Sequence, residues 1–510
     1  MKRRDFLKST LAISALGAQI PNMLTRLPSR NRFSWSSIDS DRIVVLVKLN
    51  GGNDGINTII PFQDTKYYQN RPTISLSTNE VIQLSDTAAM HYAMAPLLPF
   101  FEAQKMSVIQ GVGYPNGNLS HFRSSDIMDT GSNEDEFLST GWLGRLLELE
   151  YPDFPENSPE YPLCIQYNSA NLLEFKTTES NTGLYLYDPD TMYNLITGNY
   201  INDQDDQTPN SYGGDELEFL RELDFMSLGY SEVINNAAQN SSNSILQYPN
   251  TNLGQQFALT AKLISGGLPT PFYRLYQHGY DTHIEQQSRH SQLLDDLSHS
   301  LATFLSEMDA LGLLDRILIV TTSEFGRRVN QNGSEGTDHG TSTPTLVFGS
   351  QLNSNFFGNS PNFDQLDQNG NLQIQFDYRQ VYSTLITNWF GLPESVVQNI
   401  FGTYFESIPF INQSLSNSSP MIAKGFELHP AYPNPFNPTT TLSYSLPKKD
   451  YVVIRLIDLR GKTTKTYRLG KQNPGKNIFK IDGSSLASGT YWVHIESSGK
   501  TLSQKITLLK

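Results

Sequence analysis

Four mostly apolar runs with few polar interruptions mark the first 400 residues, and glycine-rich or polar segments follow each run. Apolar runs without alternation predict strands that are buried on both faces, as in the interior of a parallel sheet. Segments with apolar residues at helical spacing lie between them, which predicts helices that pack on this sheet. The predicted strands are Asp41–Leu49, Val108–Val112, Phe272–Gln277 and Ile317–Thr322, and the predicted helices are Trp142–Leu149, Glu216–Ala238, Thr251–Ser265 and Ile284–Leu314.

The pattern changes after a polar, Ser- and Asn-rich segment at Asn412–Ser419. The segment His429–Pro438 is too rich in proline for a helix. Short alternating runs separated by turn residues follow it, which predicts a small antiparallel, Ig-like sandwich. Its predicted strands are Thr441–Leu446, Tyr451–Asp458, Thr463–Leu469, Asn477–Ile481, Thr490–Ser497 and Leu502–Leu509. The predicted divisions are an α/β domain at 40–410, a linker at 411–425 and the sandwich at 426–510.

The first residues have the pattern of an export signal. A charged start precedes an apolar segment, Leu11–Ile20, that is too short to span a bilayer. Arg3 and Arg4 followed by DFLK resemble the twin-arginine signal, whose role is the export of folded proteins. We therefore predict a removable signal and spacer over residues 1–33, with an amphipathic cytosolic start as the alternative. The sequence predicts no transmembrane helix.

Composition narrows the classes of function. The formal net charge of the 510 residues is -14 and the chain has no long Lys/Arg cluster, which argues against nucleic acid as a partner. Cys164 is the only cysteine, so an intrachain disulfide framework and a cysteine-rich zinc site are excluded. Any metal must therefore be held by oxygen and nitrogen ligands.

Candidate ligands of this kind follow three of the four predicted strands. Ligands gather outside the carboxyl ends of strands in open parallel sheets, so carboxylates and imidazoles at these positions are well placed to hold a cation. The alternative is that they are ordinary polar turn and loop residues. Oxygen and imidazole donors suit zinc, manganese, magnesium or calcium. The predicted metal ligands are Asp54, Asp281, His283, Glu324, Asp338 and His339.

Hydroxyl groups occur at the predicted start of a helix after the second strand. Free N–H groups at such a start favour an anion, and Ser120 or Ser124 there is either a capping residue or a nucleophile. Arg327 or Arg123 would clamp an anion through its planar guanidinium. A serine hydrolase that uses Ser120 with His121 is an alternative, although the chain has no G-x-S-x-G elbow.

Five motifs in order, LNGGNDGINTIIPF, SHFRSSDIMDTG, GYDTHIEQ, SEFGRR and GTDHG, resemble the domain-of-unknown-function 1501 family over roughly residues 40–400. That family is placed with the alkaline phosphatase and sulfatase superfamily. The resemblance implies a doubly wound α/β fold and metal-dependent hydrolysis of phosphate or sulfate esters. By position it implies Asp54, Asp281, His283, Glu324 and His339, with Asp338, as metal ligands and Ser120 or Ser124 as the nucleophile.

The sequence departs from the superfamily at three points. Asp281 and His283 are closer than the usual D-x-x-x-H spacing, Glu324 stands where many members have Asp, and the C-x-P-S-R motif of typical sulfatases is absent. These departures support an alternative in which the fold is retained as a non-catalytic surface binding or assembly module. The substrate would be an anionic ester only if the protein is a hydrolase.

The last 80 or so residues resemble the type A C-terminal sorting domain of the type IX secretion system, through PNPFNP, LIDLRGK and SGTYWVHI. The resemblance implies passage through the periplasm to the cell surface or the extracellular space, with the type IX machinery as a partner. The N-terminal resemblance implies the twin-arginine machinery as a further partner. A carbohydrate-binding or adhesive sandwich is the rival interpretation.

Overall fold

The structure is a computed structural model. It describes residues 41–117, 119–152, 154, 158–167, 173–186, 230–241, 246–412, 426–428, 431, 434–446, 450–458, 460–472, 475–497 and 499–510. The chain divides into two compact units, Met1–Asn412 and Gln413–Lys510. The predicted export signal and the linker from 413 onward lie outside the described residues, as does the predicted helix at 216–238 except for its helical part at 230–238.

A nine-stranded sheet with β1 near its centre organises the larger unit. All four predicted strands are present in it, with ends shifted by no more than two residues. The strands of this unit are β1 (Ile43–Asn50), β2 (Ile59–Ile60), β3 (Val81–Gln83), β4 (Ala89–His91), β5 (Met106–Gly113), β6 (Cys164–Gln166), β7 (Gly183–Tyr185), β8 (Phe272–His278), β9 (Ile317–Thr322), β10 (Gly326–Gln331), β11 (Thr337–Gly340), β12 (Thr343–Phe348), β13 (Phe356–Phe357) and β14 (Phe376–Asp377).

Strand directions decide which loops meet. The sheet order is β13-β5-β12-β9-β1-β8-β6-β7, with β14 also beside β5. Strand β1 is parallel to both β8 and β9, whereas β12 is antiparallel to both β9 and β5. Since two antiparallel steps restore the original direction, β5 runs the same way as β9. The carboxyl ends of β1, β5, β8 and β9 therefore lie at one edge.

Helices cover both faces of the sheet. Alternate residues of β1 enter two different cores: Val45 and Val47 pack with the first, and Val44 and Leu46 with the second. The predicted doubly wound, mostly parallel α/β class is thereby confirmed. The helices are α1 (Gly55–Thr58), α2 (Thr65–Asn70), α3 (Leu98–Glu102), α4 (His121–Thr130), α5 (Trp142–Glu150), α6 (Asn252–Ser265), α7 (Gln286–Ala310), α8 (Tyr378–Thr384) and α9 (Glu394–Phe401). Of these, α6 and α7 contribute to the first core, and α4, α5, α8 and α9 to the second.

Two elements that follow Glu324 were not predicted from the sequence. The polar segment after Glu324 forms the antiparallel hairpin β10–β11. Its strands contain few apolar residues, and Arg327 and Val329 point inward, so apolar alternation could not reveal them. The fully buried strand β12 was also not predicted.

The smaller unit is built from two antiparallel sheets, as predicted. One sheet has the order β15-β16-β19 and the other β18-β17-β20-β21. Alternate residues such as Leu442, Ile454 and Val493 form its own core. The strands are β15 (Glu427–Leu428), β16 (Thr439–Leu446), β17 (Asp450–Asp458), β18 (Thr463–Gln472), β19 (Gly475–Asp482), β20 (Gly489–Ser497) and β21 (Lys500–Leu508).

Candidate metal centre

Two glycines after β1 allow three strand-end loops to pack directly on one another. A Cβ on Gly51 would lie 2.3 Å from the backbone nitrogen of Asp281, and a Cβ on Gly52 would lie 2.4 Å from the ring of Phe325. Both glycines also have φ in the left-handed region, at +122° and +79°. The GGND motif after β1 therefore serves close backbone packing of the loops that follow β8 and β9.

Three donor side chains meet at this edge of the sheet. Ligand atoms of His121, Asp281 and His339 all lie within 4.8 Å of one another. His121 Nε2 is 3.4 Å from Asp281 Oδ2, and His339 Nε2 is 3.3 Å from Asp281 Oδ1. His121 begins α4, Asp281 follows β8 and His339 lies in β11, so the cluster draws on three separate elements. We refer to these three residues as the donor cluster.

His283 and Asp338 extend the donor cluster toward solvent. His283 Nε2 lies 2.9 Å from His339 Nε2 and 3.0 Å from Asp281 Oδ1. On the other side of the ring, His283 Nδ1 lies 3.4 Å from Asp338 Oδ1. The Asp338 carboxylate accepts a hydrogen bond from Asn332 and is 58% exposed. Asp338 is thus in contact with His283 at the rim.

Glu324 lies beneath His121. Its Oε1 accepts a hydrogen bond from the Gly51 N–H at 2.7 Å and lies 3.2 Å from His121 Nδ1. Its Oε2 is buried with no hydrogen-bond partner among the described residues. Burial raises the pKa of Glu324, but the contact with His121 and the charge of Lys48 outweigh burial and lower it. The carboxylate is therefore ionised with one oxygen unsatisfied.

Asp54 is placed in a neighbouring buried network, outside the three-residue donor cluster. Its Oδ2 accepts a hydrogen bond from Arg71 Nη1 at 2.6 Å and another from Gln286 Nε2. Its Oδ1 is buried without a partner among the described residues. Burial raises the pKa of Asp54, but Arg71 outweighs burial and lowers it. Arg71 was not identified from the sequence, because its pairing with Asp54 depends on the chain path between them.

Arg327 joins the loops around the donor cluster. The side chain is fully buried, and its Nη2 donates to Asp281 Oδ1 at 2.8 Å. Partial burial raises the pKa of Asp281, but hydrogen bonds from Arg327 and His339 outweigh it and bring that pKa to about 2. The remaining donors of Arg327 bind the backbone carbonyls of Gly51, Gly52, Tyr280 and Thr337. Each guanidinium nitrogen is thus engaged with the protein.

The other candidate clamp, Arg123, is engaged on the surface of α4. Its Nη2 donates to the carbonyls of Asn133 and Glu134 at 3.1 and 3.0 Å. The guanidinium also lies over the Phe137 ring, 4.1 Å from the ring centroid. These contacts direct Arg123 toward the loop that follows α4.

The two candidate nucleophiles differ in environment. Ser124 is completely buried and its Oγ accepts a hydrogen bond from Tyr114 at 2.7 Å. Ser120 is exposed at the N-cap of α4, directly before His121. The preceding carbonyl, that of Leu119, lies 2.9 Å from His339 Nδ1. In the sequence, Ser120 therefore lies between Leu119, whose carbonyl contacts His339, and His121, which belongs to the donor cluster.

A second group of buried charged residues includes Lys48 of β1 and was not identified from the sequence. Lys48 Nζ lies 3.4 Å from Asp129, whose carboxylate is also 3.5 Å from Arg274. Arg274 Nε lies 3.1 Å from Glu174. Burial raises the pKa of Glu174 to about 7 despite the charge of Arg274. The signal available in the sequence was the presence of Lys48 and Arg274 inside two mostly apolar strands, β1 and β8.

The fold and this cluster define a class: a doubly wound α/β protein with a candidate cation site at the carboxyl edge of its sheet. Residues 201–401 match the family described as protein of unknown function (DUF1501). Residues 430–508 match the secretion system C-terminal sorting domain. Both resemblances drawn from the motifs are confirmed by these matches. The sorting domain indicates export to the cell surface or the extracellular space.

Several solved structures are similar to the chain. An alkaline phosphatase superfamily protein from Vibrio parahaemolyticus is 10% identical over 96% of this chain and 90% of that chain, with a TM-score of 0.30. A Bacteroides thetaiotaomicron protein, described under metabolism of multiple glycosaminoglycans, is 10% identical over 91% and 89%, with a TM-score of 0.34. FlgD from P. aeruginosa is 30% identical over 14% of this chain, which spans 58% of FlgD, with a TM-score of 0.12. The comparison with curated proteins gave no match.

Within the part of the chain that the structure describes, no helix is both long enough and apolar enough to cross a membrane.

Proposed function

We propose that this protein is an exported hydrolase of phosphate or sulfate esters that uses a divalent cation held by His121, Asp281 and His339. The observation that carries the proposal is the convergence of the ligand atoms of these three residues within 4.8 Å. The position of the donor cluster, outside the carboxyl ends of parallel strands, is where open α/β sheets bind ligands.

The donor set suits a cation. Two imidazoles and a carboxylate are the ligand types of catalytic zinc sites, which keep a further position for water or substrate. Imidazole is a poorer ligand for magnesium and calcium, so zinc is our first choice, followed by manganese. The buried, unsatisfied Oε2 of Glu324 adds negative charge beside His121. The low pKa of Asp281 keeps its carboxylate ionised at neutral pH.

A bound cation would supply Lewis-acid stabilisation of the negative charge that develops on the ester oxygens. The protein would supply the nucleophile and the positioning. In our proposal Ser120 Oγ forms the new bond to phosphorus or sulfur while the bond to the ester oxygen breaks and the alcohol leaves. Water then releases the inorganic anion and restores the hydroxyl. The N–H groups at the start of α4 favour the anion there, and Arg327 positions Asp281.

Turnover of p-nitrophenyl phosphate and p-nitrophenyl sulfate by the zinc-loaded full chain tests the proposal. We expect hydrolysis of at least one ester. In Ser120→Ala we expect kcat to fall by at least about 1,000-fold, because the hydroxyl that forms the new bond to phosphorus or sulfur is missing. Ser124→Ala is the matched control. It removes a buried hydroxyl that is bonded to Tyr114, so we expect a stability loss of about 1 kcal/mol with hydrolysis retained.

No hydrolysis of either ester by zinc-loaded wild type would contradict the proposal, as would full activity in Ser120→Ala. One observation favours the alternative of a non-catalytic surface module: Asp54, which by resemblance is the first-strand metal ligand, is held by Arg71 and Gln286. Zinc binding without turnover of any ester would support that alternative.

A further inference from the structure

A cavity of about 330 Å³ lies on the larger unit, and no residue of the donor cluster lines it. Its walls are the carboxyl half of β5, the start of β12 and the loop between β13 and β14. The residues that line it carry amides and hydroxyls, and among the described residues no charged side chain lines it. Its volume falls in the range of ligand pockets, about 300–1,000 Å³.

Gln110 on β5 is the polar residue at the base of this cavity. The residue is only 3% exposed overall, and it lines the cavity. Strand β5 has two polar side chains, Ser107 and Gln110, and of these only Gln110 lines the cavity. A side-chain amide both donates and accepts hydrogen bonds, so Gln110 is placed to bind a polar group that enters the cavity.

The outer wall is fixed by side-chain bonds within the loop. Gln375 Oε1 accepts from the Asn359 N–H, and Gln375 Nε2 donates to the Asn359 carbonyl, each at 2.8 Å. Gly111 has φ +66°, and a Cβ there would lie 2.9 Å from Gln375 Cγ. These bonds join the two ends of the β13–β14 loop, and the loop packs tightly against β5. The cavity therefore has a defined shape.

The chemistry of the lining selects the ligand. Amides and hydroxyls both donate and accept hydrogen bonds, which matches the hydroxyl groups of a sugar. Ile56, Pro344, Pro361 and Leu372 supply apolar surface for the C–H faces of a sugar ring. The absence of a charged lining residue leaves an ionic ligand without a counter-charge. We propose that this cavity binds a neutral saccharide, with Gln110 as a specificity-determining residue.

This binding requires neither a cation nor hydrolysis, so its test is separate from that of the proposed function. The full chain is titrated with cellobiose, maltose and N,N′-diacetylchitobiose, and with glucuronic acid as a charged probe, by calorimetry and saturation-transfer NMR. We expect at least one neutral disaccharide to bind with a millimolar or lower Kd, and no binding of glucuronic acid.

Two variants test the location. Gln110→Met removes the buried amide with little change in volume, and we expect at least about tenfold weaker binding. Ser360→Trp fills the cavity from the surface loop, and we expect binding to be lost. Gln83→Met, the same change at an exposed position in β3, is the matched control and is expected to bind as wild type.

The proposal is overturned if none of the three disaccharides binds the wild type, if glucuronic acid binds as well as they do, or if Ser360→Trp binds as wild type does. Thermal melting checks that each variant is folded. If Gln110→Met does not fold, Ser360→Trp alone decides.

Discussion

At the scale of the residue, Arg327 holds the candidate site together. A guanidinium presents five N–H donors in a rigid fork, and in Arg327 they bridge the loops after β1 and β8 to the hairpin β10–β11. It also pairs with Asp281 in the donor cluster. The sequence suggested that Arg327 would clamp an anion, and that role stays a prediction. The contacts of its buried side chain indicate positioning.

We expect Arg327→Lys to lower the free energy of unfolding by about 3 kcal/mol or more, because one ammonium leaves several buried carbonyls unsatisfied. Urea unfolding measures the loss. Arg328→Lys is the matched control, since the adjacent arginine is exposed; we expect it to change stability by less than about 0.5 kcal/mol. Equal effects of the two substitutions would contradict the role given to Arg327.

Sequence position brought Asp281 and His339 into one candidate set, because Asp281 follows a predicted strand and His339 lies in the polar segment after the next one. It could not separate Asp54 from them, since the burial of Asp54 against Arg71 depends on the fold of residues 55–71. It also assigned His121 to catalysis, and that role stays a prediction; its ring nitrogens lie near Asp281 and Glu324. Whether these residues bind a cation is still a prediction.

At the scale of the element, the turn after β1 sets how closely the loops approach. Gly51 contacts the backbone of Tyr280 and Asp281 where a side chain cannot fit. Apolar runs predicted the strands β1, β8 and β9, which these loops follow. A strand that is buried on both faces is apolar at nearly every position, so its pattern is easy to recognise. Those runs gave no indication of the hairpin β10–β11, whose inward-facing residues include a charged one.

We expect Gly51→Ala to destabilise the protein by about 3 kcal/mol and to weaken zinc binding, because the new Cβ would collide with the backbone of Asp281 at an unfavourable φ. Thermal melting and zinc titration measure the two effects. Gly333→Ala, in the turn of the β10–β11 hairpin, is the control, because a Cβ added there has no atom outside the neighbouring residues within 4 Å. Unchanged melting of Gly51→Ala would contradict the close packing.

Helix α7 and strand β4 bury two histidines. Burial lowers the pKa of His290 to about 4, with Asp54 opposing and Arg71 and Arg327 adding to the shift. Burial and the charge of His290 lower the pKa of His91 to about 3, with Asp54 opposing. A histidine with a lowered folded-state pKa contributes its full stability above its unfolded pKa of about 6.5. That stability is lost as the pH falls toward the folded-state value.

We therefore expect these two histidines to make unfolding easier below pH 6.5, by about 1.4 kcal/mol per pH unit for each. Urea unfolding at pH 7 and pH 5 measures the dependence. His290→Gln should be less sensitive to this change of pH than wild type. His299→Gln, a change of an exposed histidine on the same helix, should behave as wild type. An unchanged pH dependence in His290→Gln would show that His290 is not buried in the neutral form.

At the scale of the whole molecule, the chain has two compact units, each with a hydrophobic core of its own. The pattern change near residue 412 predicted a division there, since long apolar runs give way to short alternating strands. The sorting domain implies the type IX secretion machinery as a partner. The twin-arginine signal stays a prediction, because residues 1–33 lie outside the described residues.

We expect residues 413–510, fused to a periplasmic reporter in a host with type IX secretion, to move the reporter to the cell surface or the medium. The domain match at 430–508 is the reason. The same fusion in a strain without that secretion system is the control and should stay in the periplasm. A reporter that stays in the periplasm of both strains would contradict the sorting role.

His121, Asp281 and His339 lie together at the carboxyl edge of the sheet, and in our proposal they hold a cation. Calorimetric titration of metal-stripped full chain with zinc tests it most directly. We predict equimolar binding with a Kd in the micromolar range or below, lost in Asp281→Asn and retained in Asp86→Asn, an exposed control. Absence of zinc binding to the wild type, or binding to Asp281→Asn as tight as to the wild type, would contradict the account.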